Sequence, residues 1–244
     1  MSLSESNTAS YYRVYAPIFE KIESFIPRQI TPNMISCTSF VLLTALFLSK
    51  AYYNPYIFST CLFIYWILDN IDGIHARNTK QTSTLGEILD HCGDAYYSII
   101  ILYMFFNIFR INIPKLFIVM TGIFMNLKHL LSFYTHDFSL KLIDLPKLGI
   151  EFGVDDLLLI TSFLPMLTLI KTPTKIVQRV VYVLYAILGI VIIQLVMALP
   201  TLNPVYLLGT IMIPILYYFI INLPILIGAI QALISLYFIL HRTK

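Results

Sequence analysis

Residues 69–95 read DNIDGIHARNTKQTSTLGEILDHCGDA. Five of the chain's 13 acidic residues fall here: Asp69, Asp72, Glu87, Asp90 and Asp94. On a helix, Asp69, Asp72, Gly73 and Ala76 stand at i, i+3, i+4 and i+7 and share one face. On a second helix Gly86, Glu87, Asp90, His91 and Asp94 share another. If the two helices pack antiparallel, four aspartates converge. Ionised carboxylates that crowd together repel, and either take up protons or hold a cation. Hard oxygen donors suit Mg²⁺, Mn²⁺ or Ca²⁺. Two such ions roughly 3.5–4 Å apart, bridged by shared carboxylates, serve phosphoryl chemistry. Gly73 and Ala76 leave room for a flat or phosphorylated ligand, and the Arg77 guanidinium can grip a phosphate.

Outward from this segment the chain is greasy. Of its 244 residues 58% are hydrophobic and 12% are charged, against about 25% charged in a soluble domain. The mean hydropathy is +0.80. A soluble fold of this size cannot hide that much apolar surface. This excludes a soluble domain, a disordered chain and a secreted disulfide scaffold, and predicts an all-α polytopic membrane protein. Apolar runs lie at about 34–53, 56–71, 94–109, 113–134, 152–170, 177–199, 203–221 and 223–241. Each is expected to be helical, because hydrocarbon offers no partner to a bare peptide group. Pro214 and Pro224 interrupt the last stretch, so the expectation is six to eight spans. A carboxylate inside a bilayer costs roughly 2.5–3.5 kcal/mol; several at one boundary point to use.

The termini and the charge balance add less. Residues 1–9 form a polar tail with no secretory-signal pattern. Between residues 10 and 27 apolar residues recur at helical spacing, with Arg13, Glu20, Lys21 and Glu23 on other faces. This reads as an amphipathic helix lying in the membrane interface, or as an ordinary juxtamembrane helix. The expected organisation is residues 1–30 as tail and interfacial helix, and 31–244 as a single transmembrane catalytic domain. Sorting Lys and Arg by an even span count puts ten on the side of the N-terminus and six opposite, which favours a cytoplasmic N-terminus. The net charge of +3 comes with no basic stripe for a nucleic acid. Cys37, Cys61 and Cys92 form neither a metal-type spacing nor an even-numbered framework.

The spacing Asp69-x2-Asp72-Gly73-x2-Ala76-Arg77-x8-Gly86-x3-Asp90-x3-Asp94 resembles the motif of the CDP-alcohol phosphotransferases, with its eight fixed residues kept over 26 positions. Asp69-Asn70-x-Asp72-Gly73, Leu85-Gly86-Glu87, Asp90-His91 and the upstream Thr31-Pro32-Asn33-Met34-Ile35-Ser36 resemble the choline/ethanolamine phosphotransferase branch. Gly153-Val154-Asp155-Asp156 is a weaker echo. The sequence departs in His91-Cys92-Gly93, where the branch usually has His-Gly-Cys, and in Ser36, where threonine is commoner. It also looks much shorter than typical members and is expected to lack their last spans.

The resemblance implies a membrane enzyme with a six-helix core, here with up to two extra spans, usually a homodimer. It would move phosphoethanolamine or phosphocholine from a CDP-alcohol to diacylglycerol and release CMP. By carry-over, Asp69, Asp72, Asp90 and Asp94 hold two Mg²⁺ or Mn²⁺ ions. Gly73, Ala76 and Gly86 make room for cytidine, and Arg77 and Asn33 contact the nucleotide. His91 is the preferred base toward the acceptor hydroxyl, oriented by Glu87, with Asp94 as the other candidate. In a eukaryote the setting would be endoplasmic reticulum or Golgi, with the site facing the cytoplasm. A CDP-diacylglycerol-dependent transferase acting on inositol, serine or glycerol phosphate stays open, as does a cation channel or transporter with an aspartate-lined path. His75 faces away from the aspartates and reads as structural. Lys128 and His129 read as snorkelling, Glu151, Asp155 and Asp156 as helix caps or site lining, and Trp66 as packing.

Overall fold

The computed structural model describes residues 14–111, 115–135, 143–145, 150–152, 154–170, 204–220 and 222–241, with isolated positions between 179 and 192. The tail 1–9 and most of the expected 177–199 span lie outside the described residues. The regular elements among them are helical apart from two three-residue strands. In order they form α1 (Ala16–Glu23), α2 (Pro32–Leu48), a 3₁₀ turn (Ala51–Tyr53), α3 (Pro55–Asn78), α4 (Thr84–Ile108) and α5 (Lys115–Thr135). Strands β1 (Ile143–Leu145) and β2 (Ile150–Phe152) follow, then α6 (Val154–Phe163), a 3₁₀ segment (Leu164–Ile170), α7 (Pro204–Tyr217) and α8 (Pro224–His241). α3 and α8 are long and apolar enough to cross a membrane. The expected 152–170 span is not one α-helix: Pro165 has no N–H to give and falls where the chain tightens into 3₁₀ geometry. β1 and β2 pair antiparallel, with Asp144 opposite Glu151.

The chain divides into two compact units, one of residues 1–90 with 139–167, the other of 91–138 with 168–244. In the first, two helix starts are written in the sequence. Thr31 Oγ1 accepts from the Met34 N–H at 3.3 Å, and Asn54 Oδ1 accepts from the N–H groups of Tyr56 and Ile57 at 3.0 and 3.4 Å. Pro32 and Pro55 occupy the first helical positions, where the missing N–H is harmless. Each cap contributes about 1 kcal/mol. α3 ends on Lys80 in the left-handed region, φ 58°. The Lys80 N–H donates to the Arg77 carbonyl and that of Gln81 to Ala76, the pattern that closes a helix. Lys50 and Arg110 hold the same conformation after α2 and α4, at φ 58° and 51°.

The core of this unit is Phe19, Ile35, Trp66, Ile71 and Ile74. Phe19 and Tyr15 meet the Trp66 ring edge-on at 4.9 and 5.4 Å, so Trp66 is packing. A polar clamp lies nearby. His75, fully buried, has Nδ1 2.7 Å from Glu23 Oε1 and Nε2 2.8 Å from the Ile30 carbonyl. The Asn78 amide donates to Glu23 Oε2 at 2.7 Å.

In the second unit Ile99, Ile118, Tyr217 and Ile227 are buried together. A Cβ added at Gly122 would lie 2.6 Å from the Tyr217 ring, and one at Gly228 2.8 Å from Tyr96. Small residues here let helices approach closely. Tyr217 Oη donates to Gln231 Oε1 at 2.8 Å and Gln231 Nε2 to Asn126 Oδ1 at 2.6 Å, linking α7, α8 and α5.

Candidate active site

Helices α2, α3 and the first turns of α4 enclose a cleft of about 490 Å³. It is lined by Asn33, Asp72, Gly73, Ala76, Arg77, Gly86, Glu87 and Asp90 among the residues expected from sequence, and also by Ser36 and the stretch Gln81–Thr84. The connection from α3 to α4 is only residues 79–83, which turns the two motif faces toward each other. Ser83 starts α4: its Oγ accepts from the Gly86 N–H at 3.1 Å and its carbonyl from the Glu87 N–H. The cleft thus receives the positive end of a 25-residue helix, which favours an anion.

Asp69 and Asp90 offer carboxylate oxygens within 4.8 Å of one another. Both are half-buried. Small side-chain rotations bring such oxygens onto one hard cation, whose ligands stand at roughly 2.0–2.6 Å. The donors are all carboxylate oxygens, so the set fits Mg²⁺ or Mn²⁺ and not a soft metal. Asp94 follows Asp90 by one turn on the same face of α4, with His91 beside it. Asp72 is buried at 8% exposure and accepts from Ser36 Oγ at 2.5 Å. Asp69, His91 and Asp94 are not among the cleft-lining residues; proximity to Asp90 places Asp69, and helix register places His91 and Asp94.

The small residues have specific neighbours. A Cβ on Gly86 would meet Asn33 Oδ1 at 3.3 Å and Ser83 Oγ at 3.4 Å. A Cβ on Gly73 would meet the Arg77 guanidinium at 3.3 Å. The exposed Arg77 therefore folds back over Gly73, with its fork at the cleft.

Sequence reasoning missed Ser36 and the Gln81–Thr84 rim as site residues. Ser36 stands three residues after Asn33, a spacing that puts both on one helix face; that signal was available. His75 is structural, as its register predicts, but the sequence marks its partner Glu23 only as a polar-face residue.

Residues 29–137 match the sequence pattern described as CDP-alcohol phosphatidyltransferase. This stretch, less than half of the chain, is similar to that family. Among curated proteins it is similar to cholinephosphotransferase 1 of Saccharomyces cerevisiae, 32% identical over 93 residues, covering 34% of this chain and 24% of that protein. It is also similar to ethanolaminephosphotransferase 1 of Homo sapiens, 27% identical over 125 residues, with coverage of 44% and 31%. Choline/ethanolaminephosphotransferase 1 of Arabidopsis thaliana is 32% identical over 93 residues, 34% of this chain and 24% of that protein. The matched stretch thus spans between 24% and 31% of these relatives' length.

Proposed function

We propose that the chain transfers phosphoethanolamine or phosphocholine from the CDP-alcohol to diacylglycerol and releases CMP. The observation that carries this reading is the single cleft where Asp72, Asp90, Arg77 and the N-terminus of α4 meet. Asp69, Asp72, Asp90 and Asp94 are the residues to hold two Mg²⁺ or Mn²⁺ ions. When bound, these ions offset charge on the diphosphate and on the departing CMP. The Arg77 fork takes phosphate oxygens in pairs, and the first turn of α4 adds its dipole. Asn33, Gly73, Ala76 and Gly86 shape the wall against the nucleotide. His91 takes the proton of the acceptor hydroxyl as it attacks phosphorus. Glu87, one turn earlier, orients the imidazole. Asp94 is the alternative base.

The choline and ethanolamine names of the relatives support this head-group class over a CDP-diacylglycerol donor. Acidic residues crowded beside Gly73, Ala76 and Arg77 suit a nucleotide better than an ion path, which distributes them across depth. The setting we assign is a multi-pass membrane protein, in a eukaryote one of the endoplasmic reticulum or Golgi, with six to eight spans, an interfacial α1, a cytoplasm-facing site and a homodimeric assembly.

The test is to incubate purified protein in lipid with labelled CDP-ethanolamine, CDP-choline and CDP-diacylglycerol, with and without diacylglycerol. Label passing from a CDP-amino-alcohol into lipid only when diacylglycerol is present is the expected result. Turnover of CDP-diacylglycerol alone would overturn it.

A further inference from the structure

We propose that Ser36 is a positioning residue that sets the carboxylate of Asp72 for cation binding, an inference that rests on the function proposed above. Ser36 has one hydroxyl proton and two acceptors in reach, Asp72 Oδ2 at 2.5 Å and the Pro32 carbonyl at 3.3 Å. The shorter contact takes the proton, so the hydroxyl faces α3 instead of closing back on its own helix. A carboxylate offers about four lone-pair positions on two oxygens. A donor fixed on Oδ2 holds the group against rotation, so its orientation toward a cation is set before one binds.

The fold makes this donor rigid. Ser36 lies one turn into a helix whose start is held by the Thr31 cap and Pro32, and the neighbouring Ile35 is locked in the core. Asn33, three residues earlier, stands against Gly86 on α4. The first turns of α2 therefore touch both motif helices, Asp72 through Ser36 and Gly86 through Asn33. Asp72 is 8% exposed, so little water can stand in for a lost donor.

Hydrogen bonds of this kind to metal-holding carboxylates are worth roughly 10–100-fold in metal affinity. The experiment measures Mn²⁺ binding to the full-length protein in lipid nanodiscs, from the electron paramagnetic resonance signal of free Mn²⁺, alongside CMP release and thermal unfolding. Ser36→Ala is expected to weaken Mn²⁺ binding about tenfold with little change in unfolding temperature, and Ser36→Thr to keep wild-type affinity. Thr and Val share a shape, so comparing Ser36→Thr with Ser36→Val isolates the hydroxyl if the alanine variant does not fold. Equal affinity in the hydroxyl and non-hydroxyl variants overturns the proposal, as does a wild-type protein that binds no Mn²⁺. Weaker binding in the non-hydroxyl variants supports it even if no CMP is released, in which case only the functional reading fails.

Discussion

Glu23 on α1 and His75 on α3 meet at 2.7 Å, carboxylate to Nδ1, with the imidazole wholly buried. The Ile30 carbonyl can only accept, so Nε2 carries a hydrogen and Nδ1 is left to the carboxylate. Burial pushes the Glu23 carboxyl up. Hydrogen bonds with Asn78 and His75, and the charges of His75 and Arg28, outweigh this and bring it below its ordinary value of 4.5. A carboxyl lowered in the folded state contributes stability above the ordinary glutamate range, and that stability is lost as pH falls through the lowered value. The unfolding temperature in detergent is therefore expected to fall as pH drops below about 4.5. Glu23→Gln should flatten that slope and cost about 1–3 kcal/mol at pH 7. A parallel pH dependence in the variant would count against the clamp.

Asp90 sits where the cleft and the Asp69 contact coincide. Asp90→Asn is expected to cut CMP release to below about one-hundredth of wild type while the protein still inserts and folds. Chelation should stop wild-type turnover and added Mg²⁺ or Mn²⁺ should restore it. An active Asp90→Asn protein would remove the carboxylate from the chemistry.

His91 and Asp94 can be separated by rate. A general base contributes about 10²–10⁴-fold, so His91→Ala is expected to lose that much in kcat with KM little changed. Wild-type kcat in His91→Ala transfers the role to Asp94.

Gly86 is a test of space. Its missing Cβ leaves 3.3 Å to Asn33 Oδ1, so Gly86→Ala pushes the Asn33 amide out of place. The expected result is a KM for the CDP-alcohol raised about tenfold, or roughly 1.4 kcal/mol, with unchanged thermal stability. Arg77→Lys should act in the same direction, because a point charge replaces a fork.

The buried Tyr217–Gln231–Asn126 chain makes a stability prediction away from the cleft. Gln231→Leu removes both hydrogen bonds and is expected to destabilise the detergent-solubilised protein by about 1 kcal/mol, with CMP release intact below the unfolding temperature.

Much of the site was legible because it is local. Asp69, Asp72, Gly73, Ala76 and Arg77 lie within three turns of one helix, and helical period alone puts them on a common side. Gly86, Glu87 and Asp90 follow by the same rule. Ser36 was legible only as a neighbour of Asn33, because its partner Asp72 is 36 residues away and no periodicity reports a contact between helices. Glu23 was hidden in the same way, 52 residues from His75. Among the described residues, helix positions were legible from apolar runs, but their ends were not. α4 begins at Thr84, ten residues before its apolar run at 94, because the carboxylates that serve the cleft extend the helix beyond its greasy part. Pro165 broke a run that hydropathy alone reads as continuous.

The five residues joining α3 to α4 work as a leash. Fully stretched they reach about 20 Å from one helix end to the other, and capping at both ends shortens that further. The carboxylates on either side are thus kept at high local concentration by chain length alone. Longer linkers would leave each helix intact and simply let the two sets of oxygens drift apart.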